Sequence, residues 1–283
     1  MAKFSEYSDI AAPESRVLAD RDELLTTHEF YRQLAQVSFH EAGSRIRTYG
    51  VDLDPEAMLG MVVMGNELAP IASSDGLISH VRENPHAHIG DNSGSSRYFS
   101  LHTDGQYLPT VPEIALLYCV DPGTSEIPTV FVDTKDILDT LHADNLLPEA
   151  REYLHIFRNK YGHEFVRPLV EINPTSGERV MNVALASPQC KLQPITGSAR
   201  TQREADAFYG LLQDIAERDI TPHEHAWKAN DGVVFDNRRL IHGRGRTDQK
   251  ALDISDPERH LVRIWLERKA KISPGTNESD LAP

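Results

Sequence analysis

The side chains best placed to do chemistry are His102 and Asp104, which flank one residue in Leu101-His102-Thr103-Asp104, and His242, far downstream in Ile241-His242-Gly243-Arg244. On an extended segment, positions i and i+2 point to the same face, so an imidazole and a carboxylate at that spacing can converge on one ion. A further histidine completes a 2-His-1-carboxylate set, which holds Fe(II) on one face and leaves three positions open. Such a site belongs to an oxygen-activating enzyme. A His-x-Asp pair alone is a weak signal, because short motifs recur by chance.

Two other histidine pairs compete with this set. His86-Ala87-His88 follows Pro85 in a polar stretch, and His223-Glu224-His225 follows Pro222 in what reads as a connecting loop. Metal ligands need orienting partners, and neither pair has an apolar strand to hold it, so both read as solvated surface histidines. His163, beside Gly162, could be core or surface. His242 differs in its surroundings. It follows the turn and apolar run Asp231-Gly232-Val233-Val234-Phe235, and Gly243 after it permits close backbone approach.

Arg259 and Arg263 lie four residues apart on a predicted final strand and therefore share a face. Burying arginine is costly unless it meets a carboxylate. In a metal pocket, the pair suits one carboxylate-bearing cosubstrate and one carboxylate-bearing substrate, which arginine grips bidentately. Protein acids such as Glu113 or Glu171 are the alternative partners.

The elements that must position these residues can be read from periodicity. Asp20 to Arg47 reads as largely helical, with Leu24, Tyr31, Leu34 and Ala35 at helical spacing. Pro55 to Val63 reads as a second helix, with Asp54 as N-cap, Pro55 at its first position and Gly65 ending it. Residues 83–97 form a polar, turn-rich loop. Tyr98 to His102, Glu113 to Val120 and Thr129 to Val132 read as strands, the second a compact apolar run suited to full burial. Lys135 to Leu141 and Pro148 to Phe157 read as helical. Leu169 to Ile172 and Arg179 to Ala184 read as a hairpin, Arg203 to Glu217 as an amphipathic helix, and Arg259 to Leu266 as an alternating strand.

Short strands thus dominate the middle and end, helices gather at the start and in one insertion, and no repeat period is visible. The pattern predicts an α+β, mainly β fold: a double-stranded β-helix, or jelly roll, with flanking N-terminal and inserted helices. One domain is expected over 1–283, with a helical part over about 14–65, a jelly-roll core over about 66–268 and a disordered tail at 273–283.

Bulk properties narrow the partners. The 283 residues carry a net charge of -14, which argues against a nucleic-acid backbone as the main partner, since phosphate binding needs clustered Lys and Arg. Hydrophobic residues at 40% and charged residues at 25% give an ordinary globular balance. The two cysteines, Cys119 and Cys190, offer neither a disulfide framework nor a thiolate zinc site. The first residues lack an apolar leader region and no window approaches a membrane span, so a cytoplasmic protein without membrane partners is expected. The sequence leaves the oligomeric state open.

The segments LHTDGQY, PEIALLYCVDP, PTVFVDT, DGVVFDNRRLIHGR and RHLVRIWL, in this order, resemble the Fe(II)/2-oxoglutarate dioxygenases of the taurine dioxygenase and clavaminate synthase superfamily. The resemblance runs from about Gly65 to Leu266. It implies that His102, Asp104 and His242 bind iron, that Thr129 and Arg259 hold the carboxylate of 2-oxoglutarate, and that Arg263 holds an acidic group of the substrate. By the same resemblance, 2-oxoglutarate and O2 are cosubstrates, succinate and CO2 are released, and a small molecule is hydroxylated at an unactivated C–H bond. Related halogenases have a small residue at the position of Asp104, so the carboxylate here favours hydroxylation; desaturation and cyclisation stay open. One departure stands out: the family's usual Gly-Gly pair before the threonine is absent from Ser125-Glu126-Ile127-Pro128-Thr129, and Pro128 stiffens that approach.

Gln106 and Tyr107, just past the His-x-Asp pair, and Asn182 on a predicted strand are candidate substrate contacts, as are Asn66 and Glu67. Each has a structural reading beside it: Tyr107 as a rim aromatic, Asn182 as a backbone partner, Glu67 as a solvated acid. Arg263 suggests a carboxylate, and the resemblance of LLYCVDP to clavaminate synthase implies a free amino acid or a small amino-acid-derived metabolite. Two other classes remain open at this stage, a non-catalytic ligand-binding jelly roll and a metal-dependent isomerase or hydrolase of cupin type.

Overall fold

The apolar run of Ile114–Asp121 sets the architecture. Ile114, Leu116 and Tyr118 pack on one side, among Phe30, Leu34, Met58 and Val62. Ala115, Leu117 and Cys119 pack on the other, among Phe131, Phe235 and Trp265. A strand with both faces buried cannot alternate polar and apolar residues, which is why it reads as a continuous apolar block.

The computed structural model describes residues 24–39, 45–82, 99–124, 127–159, 162–173, 176–185, 187, 189–245 and 259–269. Along them run β1 (Leu25–Thr26), α1 (Thr27–Gln36), β2 (Ile46–Asp52), α2 (Pro55–Met64), β3 (Leu68–Ile71), β4 (Ser79–Arg82), β5 (Phe99–His102), β6 (Ile114–Asp121), β7 (Thr129–Asp133), α3 (Thr134–Ala143) and the single turn α4 (Leu147–Ala150). There follow β8 (Tyr153–Arg158), β9 (Glu164–Pro168), β10 (Val170–Ile172), β11 (Arg179–Met181), β12 (Cys190–Pro194), α5 (Gln202–Asp214) with a π-helical turn over Ile215–Asp219, β13 (His223–His225), β14 (Asp231–Asp236), β15 (Leu240–Arg244) and β16 (His260–Arg268).

The major sheet has the order β1-β2-β14-β6-β16-β3, with β4 also paired to β16; the minor sheet has the order β13-β7-β15-β5. Their facing sides share one core, to which β6, β14 and β16 contribute from the major sheet and β7 and β15 from the minor. Helices α1 and α2 cover the outside of the major sheet, and α3, α4 and α5 cover the outside of the minor one. This is the jelly roll with flanking helices that the sequence predicted. An inserted sheet, β12-β8-β9, and the hairpin β10-β11 stand beside the open end. No helix among the described residues is long and apolar enough to cross a membrane.

Local signals explain the helix boundaries. Thr26 and Glu29 form a reciprocal capping box that starts α1, and Thr201 and Glu204 do the same for α5. Asp54 caps α2 ahead of Pro55, as expected, and Gly65 ends it. Three expectations need correction. The helix expected over Asp20 to Arg47 is the shorter α1, and its last residues begin β2, which pairs with β14. The helix expected over Pro148 to Phe157 ends after one turn; Tyr153, His155 and Phe157 then alternate in β8, where pairing with β9 and β12 decides for the strand. His225 is not a solvated loop residue: His223–His225 is a strand paired with β7, and His225 is buried against Asp231. The predicted loop at 83–97, with His86 and His88, and the tail from Ser273 lie outside the described residues.

Candidate active site

His102 ends β5 and His242 lies in β15, and the antiparallel register makes them direct cross-strand partners with ring centroids 4.5 Å apart. Gly243 allows this approach. A Cβ there would sit 2.4 Å from the Phe99 carbonyl oxygen and would force β5 away. His102 donates its Nδ1 proton to the Ser100 carbonyl at 2.9 Å, because a carbonyl can only accept. That turns Nε2 toward Asp104, 3.4 Å from its Oδ1. His242 Nε2 lies 3.6 Å from Asp104 Oδ2. The ligand-capable atoms of His102, Asp104 and His242 all lie within 4.8 Å of one another.

Asp104 is fixed through both its backbone and its carboxylate. The turn after it needs Gly105, whose φ is +71° and where an added Cβ would sit 2.5 Å from Pro112 Cδ. Asn237 accepts from the Asp104 amide at 2.9 Å and donates to the carbonyls of Asp104 and Pro112 at 3.1 and 2.9 Å. The carboxylate takes one donor on each oxygen: Arg263 Nη1 on Oδ1 at 3.1 Å and Trp265 Nε1 on Oδ2 at 2.9 Å. Burial alone would raise the carboxyl's pKa. The Arg263 guanidinium and then the two imidazoles outweigh it and hold Asp104 well below the usual carboxylate range. Burial, reinforced by His102, pushes His242 down to about 3, so the imidazole is neutral near pH 7 and its lone pair is available. The neutral imidazole of His242, the ring of His102 and one ionised carboxylate form a donor set suited to a divalent ion.

A second cluster lies further along the same interior face of β16. Arg259, just before the strand, donates from Nη2 to Thr129 Oγ1 at 3.0 Å and from Nη1 to the Ile127 carbonyl at 3.2 Å. Trp227 donates its indole N–H to the same Thr129 Oγ1 at 2.8 Å. With two donors already on that oxygen, the hydroxyl proton is the part of Thr129 left to give away. His225 packs edge-on to Trp227 at 4.5 Å and bonds Asp231 at 3.1 Å, which holds the indole in place.

A cavity of about 380 Å³ opens beside this centre, lined by His102, Asp104, Gln106, Tyr107, Arg263 and Trp265 from the core, and by Phe157, Asn159 and Gln189 from the inserted sheet and its approaches. Tyr107 stacks on Phe157 with centroids 5.7 Å apart, giving the wall an aromatic surface. Arg167 on β9 grips the carbonyls of Gln106, Leu108 and Pro109, and so ties the inserted sheet to the segment that follows Asp104.

The structure brings most of the expected site residues together. His102, Asp104 and His242 converge, Thr129 and Arg259 touch each other, and Gln106, Tyr107 and Arg263 line the cavity. Arg263 spends one guanidinium nitrogen on Asp104, while its Nε has no hydrogen-bond partner. Asn182 is not brought to the cavity lining: it is buried, and its amide donates to the Pro168 carbonyl at 3.0 Å beside the β10-β11 hairpin. Asn66 and Glu67 are also elsewhere, with Glu67 bound by the Tyr31 hydroxyl. Glu171 is taken by Arg238, not by either β16 arginine.

Sequence reasoning missed Trp265, Trp227 and Asn237. Trp265 was findable, because it lies two residues beyond Arg263 and so shares its face, and a buried indole N–H needs an acceptor. Trp227 and Asn237 reach their partners only through the fold.

The model of the taurine catabolism dioxygenase TauD, TfdA family matches residues 25–265. The chain is 28% identical over 192 residues to a tyrosine isonitrile desaturase of Pseudomonas aeruginosa, covering 62% of each chain. It is 26% identical over 207 residues to a tyrosine isonitrile desaturase of Erwinia amylovora, covering 70% of this chain and 66% of that one. It thus spans a little under two thirds of the length of these curated relatives. Among solved structures it is similar to PvcB, an Fe, alpha-ketoglutarate dependent oxygenase from an isonitrile synthetic pathway, with a TM-score of 0.62, 20% identity and coverage of 87% and 85%. It is also similar to a taurine dioxygenase from Burkholderia xenovorans, with a TM-score of 0.58, 21% identity and coverage of 80% and 77%. The jelly roll, the converging His-Asp-His set and the match over residues 25–265 together show that the chain belongs to the taurine catabolism dioxygenase TauD, TfdA family of Fe(II)- and 2-oxoglutarate-dependent oxygenases.

Proposed function

We propose that this protein oxidises an unactivated C–H bond of a small carboxylate-bearing metabolite, an amino acid or amino-acid derivative with a planar ring, using Fe(II), 2-oxoglutarate and O2. The observation that carries the reading is the convergence of His102, Asp104 and His242 beside an aromatic-walled cavity of about 380 Å³, a volume suited to one small molecule. When bound, iron and 2-oxoglutarate supply the oxidising power, with decarboxylation of the cosubstrate to succinate and CO2.

The chain's own residues do the rest. His102 and His242 present ring nitrogens, and Asp104 presents a carboxylate held by Arg263 and Trp265. Thr129 offers its remaining proton, and Arg259 its positive charge, to the carboxylate of 2-oxoglutarate. Phe157, Tyr107 and Trp265 form an aromatic surface on which a planar ring can lie. Arg263 lines the cavity beside Asp104 with an unbonded Nε, which supports a role in meeting a substrate anion. Hydroxylation is the primary outcome, in keeping with the carboxylate at Asp104. Desaturation is the second reading, favoured by the activity of the two curated relatives.

A screen of aromatic amino acids and their N-modified derivatives, scored by Fe(II)-dependent succinate release, tests the proposal. Product mass separates the readings, with one oxygen gained for hydroxylation and two hydrogens lost for desaturation. Turnover that survives His102→Ala would contradict both.

A further inference from the structure

The two tryptophans of the chain sit in parallel arrangements. In the first, Trp265 Nε1 and Arg263 Nη1 both donate to Asp104, and the Arg263 guanidinium lies 4.3 Å from the centre of the Trp265 ring. In the second, Trp227 Nε1 and Arg259 Nη2 both donate to Thr129, and the Arg259 guanidinium lies 5.9 Å from the centre of the Trp227 ring. Each indole thus packs against an arginine of the segment 259–263 and shares that arginine's acceptor.

We infer that Trp265 and Trp227 are positioning residues for two separate subsites, Trp265 for the metal through Asp104 and Trp227 for 2-oxoglutarate through Thr129; this rests on the functional reading above.

The physical basis is acceptor geometry. An ionised carboxylate can turn about its Cβ–Cγ bond and present either oxygen, or both, to an ion. A donor on each oxygen removes that freedom and holds one lone-pair direction toward the imidazoles. Trp265 is the more rigid of the two donors, because its ring is buried between the sheets and its N–H direction follows from the ring. A threonine hydroxyl can likewise rotate. Thr129 Oγ1 takes Trp227 and Arg259 on its lone pairs, so its proton is aimed rather than free to swing. A buried indole that needed only satisfaction would be served by any carbonyl. In this chain both indoles choose the side chains expected to meet the metal and the cosubstrate.

The reading predicts a separation that general loss of packing would not give. In the full-length protein, Trp265→Phe keeps the ring and removes the donor, and apoprotein titrated with Co(II) is expected to bind it 10–100-fold more weakly, on the order of an outer-shell loss. Affinity of the same variant for 2-oxoglutarate, measured anaerobically at saturating metal, is expected to stay within about threefold of wild type. Trp227→Phe is expected to do the reverse, losing about fivefold or more in 2-oxoglutarate affinity, the scale of one hydrogen bond, with Co(II) affinity retained. A second measurement needs no destabilised variant. In ¹H–¹⁵N spectra of wild-type protein with two indole signals, Zn(II) should shift the Trp265 signal, and subsequent 2-oxoglutarate should shift the Trp227 signal. Equal losses in both titrations for either variant, or two indole signals that move together on adding Zn(II), would overturn the inference. If wild-type protein bound neither Co(II) nor Zn(II), the functional reading itself would fall; if it bound them and the variants matched wild type in both titrations, only this inference would.

Discussion

His102 and His242 come from opposite halves of the chain, yet the register of β5 against β15 makes them direct cross-strand partners with ring centroids 4.5 Å apart. Their separation is therefore a property of sheet pairing, and whatever disturbs that pairing should disturb metal binding.

Gly243 is the most sensitive point. The Cβ of a Gly243→Ala variant would meet only backbone atoms, at 2.4, 3.1 and 3.2 Å, so no side chain can yield to it. The variant should lose about 1–3 kcal/mol of unfolding free energy, as overpacked cores do. It should also bind Co(II) at least tenfold more weakly. Urea unfolding and a cobalt titration read the two effects; unchanged cobalt affinity would separate the register from the site.

Asn237 governs Asp104 from the backbone side. Asn237→Ala orphans the Asp104 amide and the carbonyls of Asp104 and Pro112 together, at a cost of about 2–4 kcal/mol in unfolding experiments. Asn237→Asp should fare no better, because a carboxylate cannot donate to those two carbonyls.

Arg259→Lys keeps the charge but loses the planar fork that spans Thr129 and Ile127. The expected result is at least a tenfold rise in the KM for 2-oxoglutarate, with Co(II) affinity near wild type. Unchanged KM for 2-oxoglutarate would remove Arg259 from the cosubstrate site.

His155 gives the protein a pH dependence unconnected with catalysis. It is buried on β8, its Nε2 accepts from the Ala184 amide at 3.3 Å, and burial lowers its pKa to about 4. The unfolded chain takes up this proton near pH 6.5, the folded chain only near pH 4, so the contribution to stability is complete above 6.5 and shrinks as the pH falls toward 4. Between pH 7 and pH 5, wild-type protein should lose about 2 kcal/mol more than a His155→Phe variant, measured by urea unfolding at each pH. Parallel losses in the two proteins would mean that His155 is not held neutral.

Much of this was legible in the residues. The apolar run with both faces buried over residues 114–119 made β6 recognisable as a strand, and the alternation read over Arg259 to Leu266 put Arg259 and Arg263 on one face. The His-x-Asp spacing gave two of the three candidate ligands, and Gly243 hinted at the close approach around the third. What escaped depends on tertiary pairing. Tyr153, His155 and Phe157 sit where helix and strand propensities are similar, and only β9 and β12 decide. His225 looked solvated because it follows Pro222 in what reads as a loop, and its partner Asp231 lies beyond the turn at 229–230. Asn182 looked like a cavity residue because it reads as part of a strand near the iron ligands, but it follows β11 and its side chain bonds Pro168 instead.

The central claim is that His102, Asp104 and His242 hold Fe(II) while Thr129 and Arg259 hold 2-oxoglutarate against it. The most direct measurement is the visible absorption of anaerobic, Fe(II)-loaded protein as 2-oxoglutarate is added. The account predicts a metal-to-ligand charge-transfer band that saturates at one equivalent in wild-type protein and is absent in His102→Ala and His242→Ala. No band in wild-type protein at saturating 2-oxoglutarate, or an undiminished band in both variants, would contradict it.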